Sequence, residues 1–149
     1  MDEPAETHQF DFWIGTWDVF GPAGRQVGTN SITAQCGGKV LLEQWAGNGG
    51  VEGRSLNSWD SARRRWHQTW MDSTGSTLLL DGGMREGVMV LEGSLPSDED
   101  PKRTDLHRIS WTPIPQQDEV RQHWETSSDG GITWSTAFDG TYRRAGAAA

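Results

Sequence analysis

Turn signals recur along this chain at intervals too short to hold a crossover helix. Gly21-Pro22-Ala23-Gly24, Gly37-Gly38, Gly47-Asn48-Gly49-Gly50, Asp60-Ser61-Ala62-Arg63, Ser73-Thr74-Gly75 and Asp129-Gly130-Gly131 break the sequence into short β-like runs. The runs fall at about 16–20, 27–35, 39–46, 53–59, 66–72, 76–82, 87–95, 104–113, 118–126 and 134–143. A parallel pairing needs a connection of about a dozen residues or more, and no gap supplies a helical one. Consecutive strands must therefore pair antiparallel, as an up-and-down meander of about ten strands. A sheet that long twists too strongly to stay open, and closing it removes both exposed edges. The expected fold is all-β: a closed barrel with room for one small ligand, ahead of a two-sheet sandwich.

One segment breaks the pattern. Between Pro4 and Ile14, residues Phe10, Trp13 and Ile14 fall at helical spacing, and Gly15 ends the run. Asp2 or Glu3 is placed to cap this short helix, whose aromatic face is expected to plug one barrel end. Residues 1–144 then form a single domain, and 145–149, with nothing to bury, a disordered tail.

Charge and cysteine content narrow the partners. The formal charge of −8 disfavours nucleic acid and anionic membrane surfaces, which select basic faces. No run approaches the ~20 apolar residues of a membrane-spanning helix. The acidic Met1-Asp2-Glu3-Pro4 start lacks a signal-peptide core, so a cytoplasmic location is expected. The single Cys36 forms no internal disulfide and excludes a multi-Cys zinc site. His8, His67, His107 and His123 form no metal-binding pair, so neither metal nor cofactor is expected.

Nine Trp residues stand out in a chain of 149. Several follow a polar residue by two positions and so share its strand face: Glu43/Trp45, Asn57/Trp59, Gln68/Trp70 and Gln122/Trp124. Trp17 and Trp111 extend the aromatic set to other strands. Aromatic walls with a few orienting polar groups are what a ligand cavity requires. The same pairs also suit strand ends, or an ordinary core whose amides satisfy indole N–H groups. Trp59, beside the Asp60 turn, reads as a rim residue. Alternation alone leaves open which face points inward, because Val40–Leu42, Leu78–Leu80 and Val88–Leu91 are apolar on both faces. Outer apolar positions over 76–95 suggest a homodimer interface.

Phe10-Asp11-Phe12-Trp13-Ile14-Gly15-Thr16-Trp17, a short helix running into Gly-x-Trp, resembles the start of a calycin barrel. Calycins include lipocalins and fatty-acid-binding proteins. Over nearly its full length the chain is more similar to an uncharacterised bacterial family of lipocalin-like barrels. The recurring pieces are Gly53–Asn57, Arg65–Asp72, Arg121–Glu125 and Phe138–Tyr142. The resemblance implies the same barrel. It also implies that the Trp17 indole packs near a late basic residue, Arg143 or Arg144, as a structural contact. Nitrobindins, a related branch, bind haem through a His near the C-terminal end. The last strand here has no His, and His123 one strand earlier is the only loose substitute, so haem is not expected. Ser127-Ser128-Asp129-Gly130-Gly131-Ile132-Thr133-Trp134 matches the Asp-box hairpin of sialidase propellers. It occurs once, where a propeller needs several blades, and reads as a turn stabiliser.

Catalytic signals are sparse. Glu43, if desolvated among Trp, suits proton transfer. Arg54 and Arg121 are placed to orient an anionic or carbonyl group. Arg121, His123 and Glu125 share one face, opposite Gln122 and Trp124, and read either as a charged constellation or as a solvated outer face. Cys36 has no sequence-local His, and Arg63-Arg64-Arg65 reads as a solvated turn. Three functions remain. The first is binding of a small hydrophobic, partly polar molecule, with Trp17, Trp45, Trp70, Trp111 and Trp124 as walls and Glu43, Asn57, Gln68 and Gln122 as hydrogen-bonding groups. The second is a small-metabolite isomerase or cyclase on the same cavity, with Glu43, His123 or Arg121 in the chemistry. The third is an interaction protein with a Trp-rich surface.

Overall fold

The turn spacing yields ten strands: β1 (Gly15–Phe20), β2 (Gln26–Gln35), β3 (Val40–Gly47), β4 (Glu52–Asp60), β5 (Arg65–Asp72), β6 (Thr77–Arg85), β7 (Val88–Pro96), β8 (Thr104–Ile114), β9 (Glu119–Ser127) and β10 (Ser135–Arg144). They come from a computed structural model that describes residues 2–146. Every strand pairs antiparallel with its sequence neighbour, and β1 pairs with β10 to close the barrel. The closing register sets Trp17 opposite Arg144 and Val19 opposite Tyr142. No helix among the described residues is long and apolar enough to cross a membrane.

The N-terminal helical segment is tighter than the spacing predicts. It consists of two 3-10 turns, Ala5–His8 and Asp11–Trp13, separated where Phe10 takes φ −99° and ψ 4°. Neither turn has a side-chain cap, so the expected role of Asp2 or Glu3 is not realised. Instead His8 lies 2.9 Å from Glu3 and 2.8 Å from Asp11. The break lets Phe10 and Trp13 enter the barrel together. They stack with ring centroids 4.8 Å apart, and Phe10 meets Trp66 and Trp111 edge-on at 5.7 Å and 5.1 Å. Such edge and offset contacts suit aromatic quadrupoles. Full burial of Phe10 contributes about 1.5–3 kcal/mol.

This plug settles the parity of the strands. Leu41 and Glu43, Asn57, Trp66 and Gln68, Leu78 and Leu80, Ile109 and Trp111, and Val120 are buried inside, while Leu56, Met71 and Leu79 are exposed outside. A bulge between Thr136 and Phe138 resets β10, after which the buried Gly140 and Tyr142 alternate with exposed or half-buried neighbours. At the C-terminus, Ala145 N–H donates to the Thr16 carbonyl at 2.9 Å, tying that residue to β1. Residues 147–149 of the expected tail lie outside the described residues.

The candidate chamber and its mouth

The barrel has a plugged end and an open end. The plug, with Trp17, Trp66, Trp111 and Tyr142, fills the first; the turns at 21–25, 48–51, 73–76, 97–103 and 128–134 ring the second. Between them lies a chamber of about 170 Å³.

Its floor is a chain of hydrogen bonds crossing six strands. Gln68 Nε2 donates to Asn57 Oδ1 at 2.8 Å, and Asn57 Nδ2 donates to Ser55 Oγ at 2.8 Å. Ser55 Oγ donates to Glu43 Oε1 at 2.6 Å. Asn30 Nδ2 donates to Glu43 Oε2 at 2.7 Å and to Tyr142 Oη at 2.8 Å. Tyr142 in turn donates to Gln122 Oε1 at 2.6 Å. Glu43 thus accepts on both oxygens while only 4% exposed. Burial pushes its carboxyl above the ordinary range, and the Ser55 and Asn30 donors oppose that rise. Burial, with the Glu43 charge nearby, drives the Tyr142 phenol far up, so it remains a donor.

The walls are Trp45, Trp70, Trp124 and Phe138, with Leu78 and Ile109 completing the lining. Two glycines make the indole positions possible. Trp70 lies so close over Gly53 that a Cβ there would stand 2.0 Å from its ring, and a Cβ at Gly28 would stand 2.6 Å from Trp45. Trp45 and Phe138 meet edge-on at 5.9 Å. Trp70 Nε1 donates to Asp72 Oδ2 at 3.0 Å. Partial burial works against the Asp72 charge, yet donors from Thr74, Trp70 and Ser76 hold its carboxyl below the usual range. Val51 and Asp72 stand beside these walls.

Above the chamber is a wider vestibule of about 560 Å³, which shares Leu78 and Trp124 with it. Trp124 Nε1 donates to His107 Nδ1 at 3.1 Å across that junction. Burial lowers the His107 pKa, in keeping with a neutral ring accepting at Nδ1.

The sequence-derived set divides three ways. Glu43, Trp45, Gln68, Trp70, Gln122 and Trp124 line the chamber. Asn57 stands one hydrogen bond behind, on Gln68. Trp17 and Trp111 are not walls: both are fully buried at the plugged end, where the plug occupies the space a guest would need. Trp17 Nε1 donates to the Trp13 carbonyl at 2.9 Å, and Arg144 lies over its ring. Trp59 packs against this same aromatic core, toward the plugged end.

The outer face of β9 takes the other candidates. Arg121 pairs with Asp139 at 2.8 and 3.0 Å, and His123 contacts Thr136 at 3.0 Å. Neither reaches the chamber, because the alternation that turns Gln122 and Trp124 inward turns both outward. Arg54 donates to the Gly53 carbonyl on the outside of β4. The Trp-rich surface is absent too: all nine Trp are buried or half-buried.

Asn30, Ser55, Asp72, His107, Phe138 and Tyr142 enter the site without having been singled out for it. The signal for two was present in the period of two: Asp72 continues Gln68/Trp70, and Tyr142 follows Phe138 and Gly140. The Asp-box turn forms as expected. Asp129 Oδ1 accepts from Ser127 Oγ and Thr133 N at 2.8 Å each, and Trp134 Nε1 reaches the Gly131 carbonyl at 3.2 Å. Arg108 lies 4.0 Å over the Trp134 ring. No protein-family model matches the chain, and no curated protein matches it significantly.

Proposed function

We propose that this barrel binds a small, partly polar molecule in the chamber over Glu43. The carrying observation is a hollow of about 170 Å³ with aromatic walls above a hydrogen-bonded polar floor. An apolar cavity of about 150 Å³ holds a benzene-sized guest. The chamber by itself therefore suits roughly six to ten heavy atoms. The Gly15-x-Trp17 start against Arg144 supports kinship with the lipocalin-like barrels. A single free, exposed Cys36 suits a reducing cytoplasm.

The test is a tryptophan-fluorescence titration with benzyl alcohol as probe. The wild type is expected to show saturable quenching, and Ile109→Phe, which fills the chamber, to lose it. Failure of both benzyl alcohol and the amine of the same shape to saturate, or a response that Ile109→Phe leaves unchanged, overturns the reading.

An isomerase or cyclase reading draws on one observation, the buried Glu43 carboxyl bonded by Asn30 and Ser55 near Tyr142 at the chamber floor. Under it Glu43→Gln abolishes turnover by removing the proton carrier. For the outer face, the reading takes a second copy of the chain as partner. Within the expected stretch 76–95 the exposed large apolar side chain is Leu79, and the patch continues instead onto β4 and β5, where Leu56 and Thr69 stand in register with it and exposed Met71 lies beside them. Light scattering at micromolar concentration should return the dimer mass; a monomer mass removes the interface.

A further inference from the structure

The charges around the chamber are one-sided. Glu43 and Asp72 line it, and no Lys, Arg or His does among the described residues. The aromatic faces of Trp45, Trp70, Trp124 and Phe138 add the negative side of their quadrupoles. An anionic guest would meet two carboxylates and a ring of π-faces with no cation to offset them. A cationic guest would meet all of these favourably.

Hydrogen-bond bookkeeping points the same way. The Trp70 and Trp124 N–H groups are already donated to Asp72 and His107. The Tyr142 hydroxyl, the Ser55 hydroxyl and the Asn30 amide spend their protons within the floor. Gln68 uses one N–H of its Nε2 on Asn57, which leaves its Oε1 as an acceptor and its second N–H as a donor. Gln122, whose Oε1 takes the Tyr142 proton, adds its Nε2 as a donor. The floor therefore sets the Glu43 carboxyl and the Gln68 Oε1 toward a donor-rich group, with the two glutamine amides beside them.

The approach route repeats the pattern. The vestibule carries Asp98, Glu99 and Asp105 against Arg103, which is itself paired to Glu99 at 3.2 Å. Asp105 Oδ1 is buried there without a hydrogen-bond partner. A focused negative potential at the mouth raises the local concentration of cations.

We infer that the chamber selects a small primary amine, held as its ammonium between the Glu43 carboxylate and the aromatic walls. This deepens the binding reading and rests on the chamber being the binding site. The ammonium donates hydrogen bonds to Glu43 and the Gln68 carbonyl oxygen, and its charge restores the ionised carboxylate that burial disfavours. Other titratable groups facing Glu43 are Tyr142, which stays protonated, and Asp72 across the chamber. Binding strengthens as pH rises through the Glu43 range and fails when the amine itself deprotonates.

Three probes of matched shape test this on the full chain: benzylamine, benzyl alcohol and benzoate. Competition is read by tryptophan fluorescence. Benzylamine is expected to bind at least tenfold more tightly than benzyl alcohol near neutral pH, with benzoate weakest. Glu43→Gln, a near-isosteric change, should collapse the amine-to-alcohol ratio toward one. Should that variant misfold, the wild-type ratio and its rise with pH stand as the readout. If benzyl alcohol or benzoate binds saturably and as well as benzylamine, amine selection is wrong and the chamber reading survives. If none of the three binds saturably, both fall.

Discussion

The Arg144 guanidinium carbon stands 3.9 Å from the centroid of the Trp17 ring, at the seam where β1 meets β10. The same side chain donates from Nη1 to the Ile14 carbonyl at 2.8 Å and pairs with Asp118. One flat cation thus ties the plug, the first strand and the turn before β9 together. Gly15 leaves it room, since a Cβ there would stand 2.1 Å from Nη1.

Arg144→Lys keeps the charge but loses the planar stack and the fork of donors. A cation–π contact of this kind contributes about 0.5–2 kcal/mol. Urea unfolding should show a loss of about 1–2 kcal/mol. An unchanged midpoint would mean that the seam is held by the ladder hydrogen bonds alone.

Glu43 gives stability an unusual pH sign. Its carboxyl is raised above the ordinary 4.5 in the folded chain, so the folded state holds the proton more tightly than the unfolded one. The contribution is complete below pH 4.5 and is lost as pH rises through the folded-state value. Relative to Glu43→Gln, the wild type should therefore weaken with rising pH across that window, by at most about 1.4 kcal/mol per pH unit. Parallel stability curves for the two proteins would contradict this. Glu43→Ala should cost about 1–3 kcal/mol at pH 4.5, because the Asn30 and Ser55 donors lose their acceptor, and the cost should shrink as pH rises by the same linkage.

Gly53 is the seat of the Trp70 wall. A methyl at that position would occupy space 2.0 Å from the indole, so Gly53→Ala must swing Trp70 aside. We expect a cost of about 1–3 kcal/mol in urea and a changed near-ultraviolet circular dichroism band. Probe binding should weaken at least tenfold. A variant with wild-type dichroism and affinity would show that Trp70 does not need its present position.

The Asp129 hairpin carries the opposite pH sign. The Thr133 side chain and backbone, then Ser127, hold its carboxyl down to about 2 from 3.8. Its stabilisation is present above pH 3.8 and is lost as pH falls through about 2. Asp129→Asn should lower the melting temperature at neutral pH, with the difference closing in that acid window. A difference that persists unchanged at pH 2 would assign the effect to shape rather than charge.

Much of the fold was legible in the residues. Turn chemistry at Gly21–Gly24, Gly47–Gly50 and Ser73–Gly75 determines where strands stop, and the short gaps between strands permit only antiparallel neighbours. The chamber was partly legible through the pairs Glu43/Trp45, Gln68/Trp70 and Gln122/Trp124, because a period of two keeps such residues on one face. Local sequence did not reveal how far along the barrel each residue lies. Trp17 and Trp70 have the same chemistry and both face inward, yet the plug buries one in solid core while the other stands beside open space.

By itself, the sequence determined strand count, strand direction and the alternation of each strand, since these follow from local geometry and connection length. Only the tertiary structure decided which face is inner, which end is plugged and which side chains meet. Asn30 reaches Tyr142 across 112 positions of chain, and Trp124 reaches His107 across 17. Such contacts depend on barrel closure and register, which no short window of residues contains.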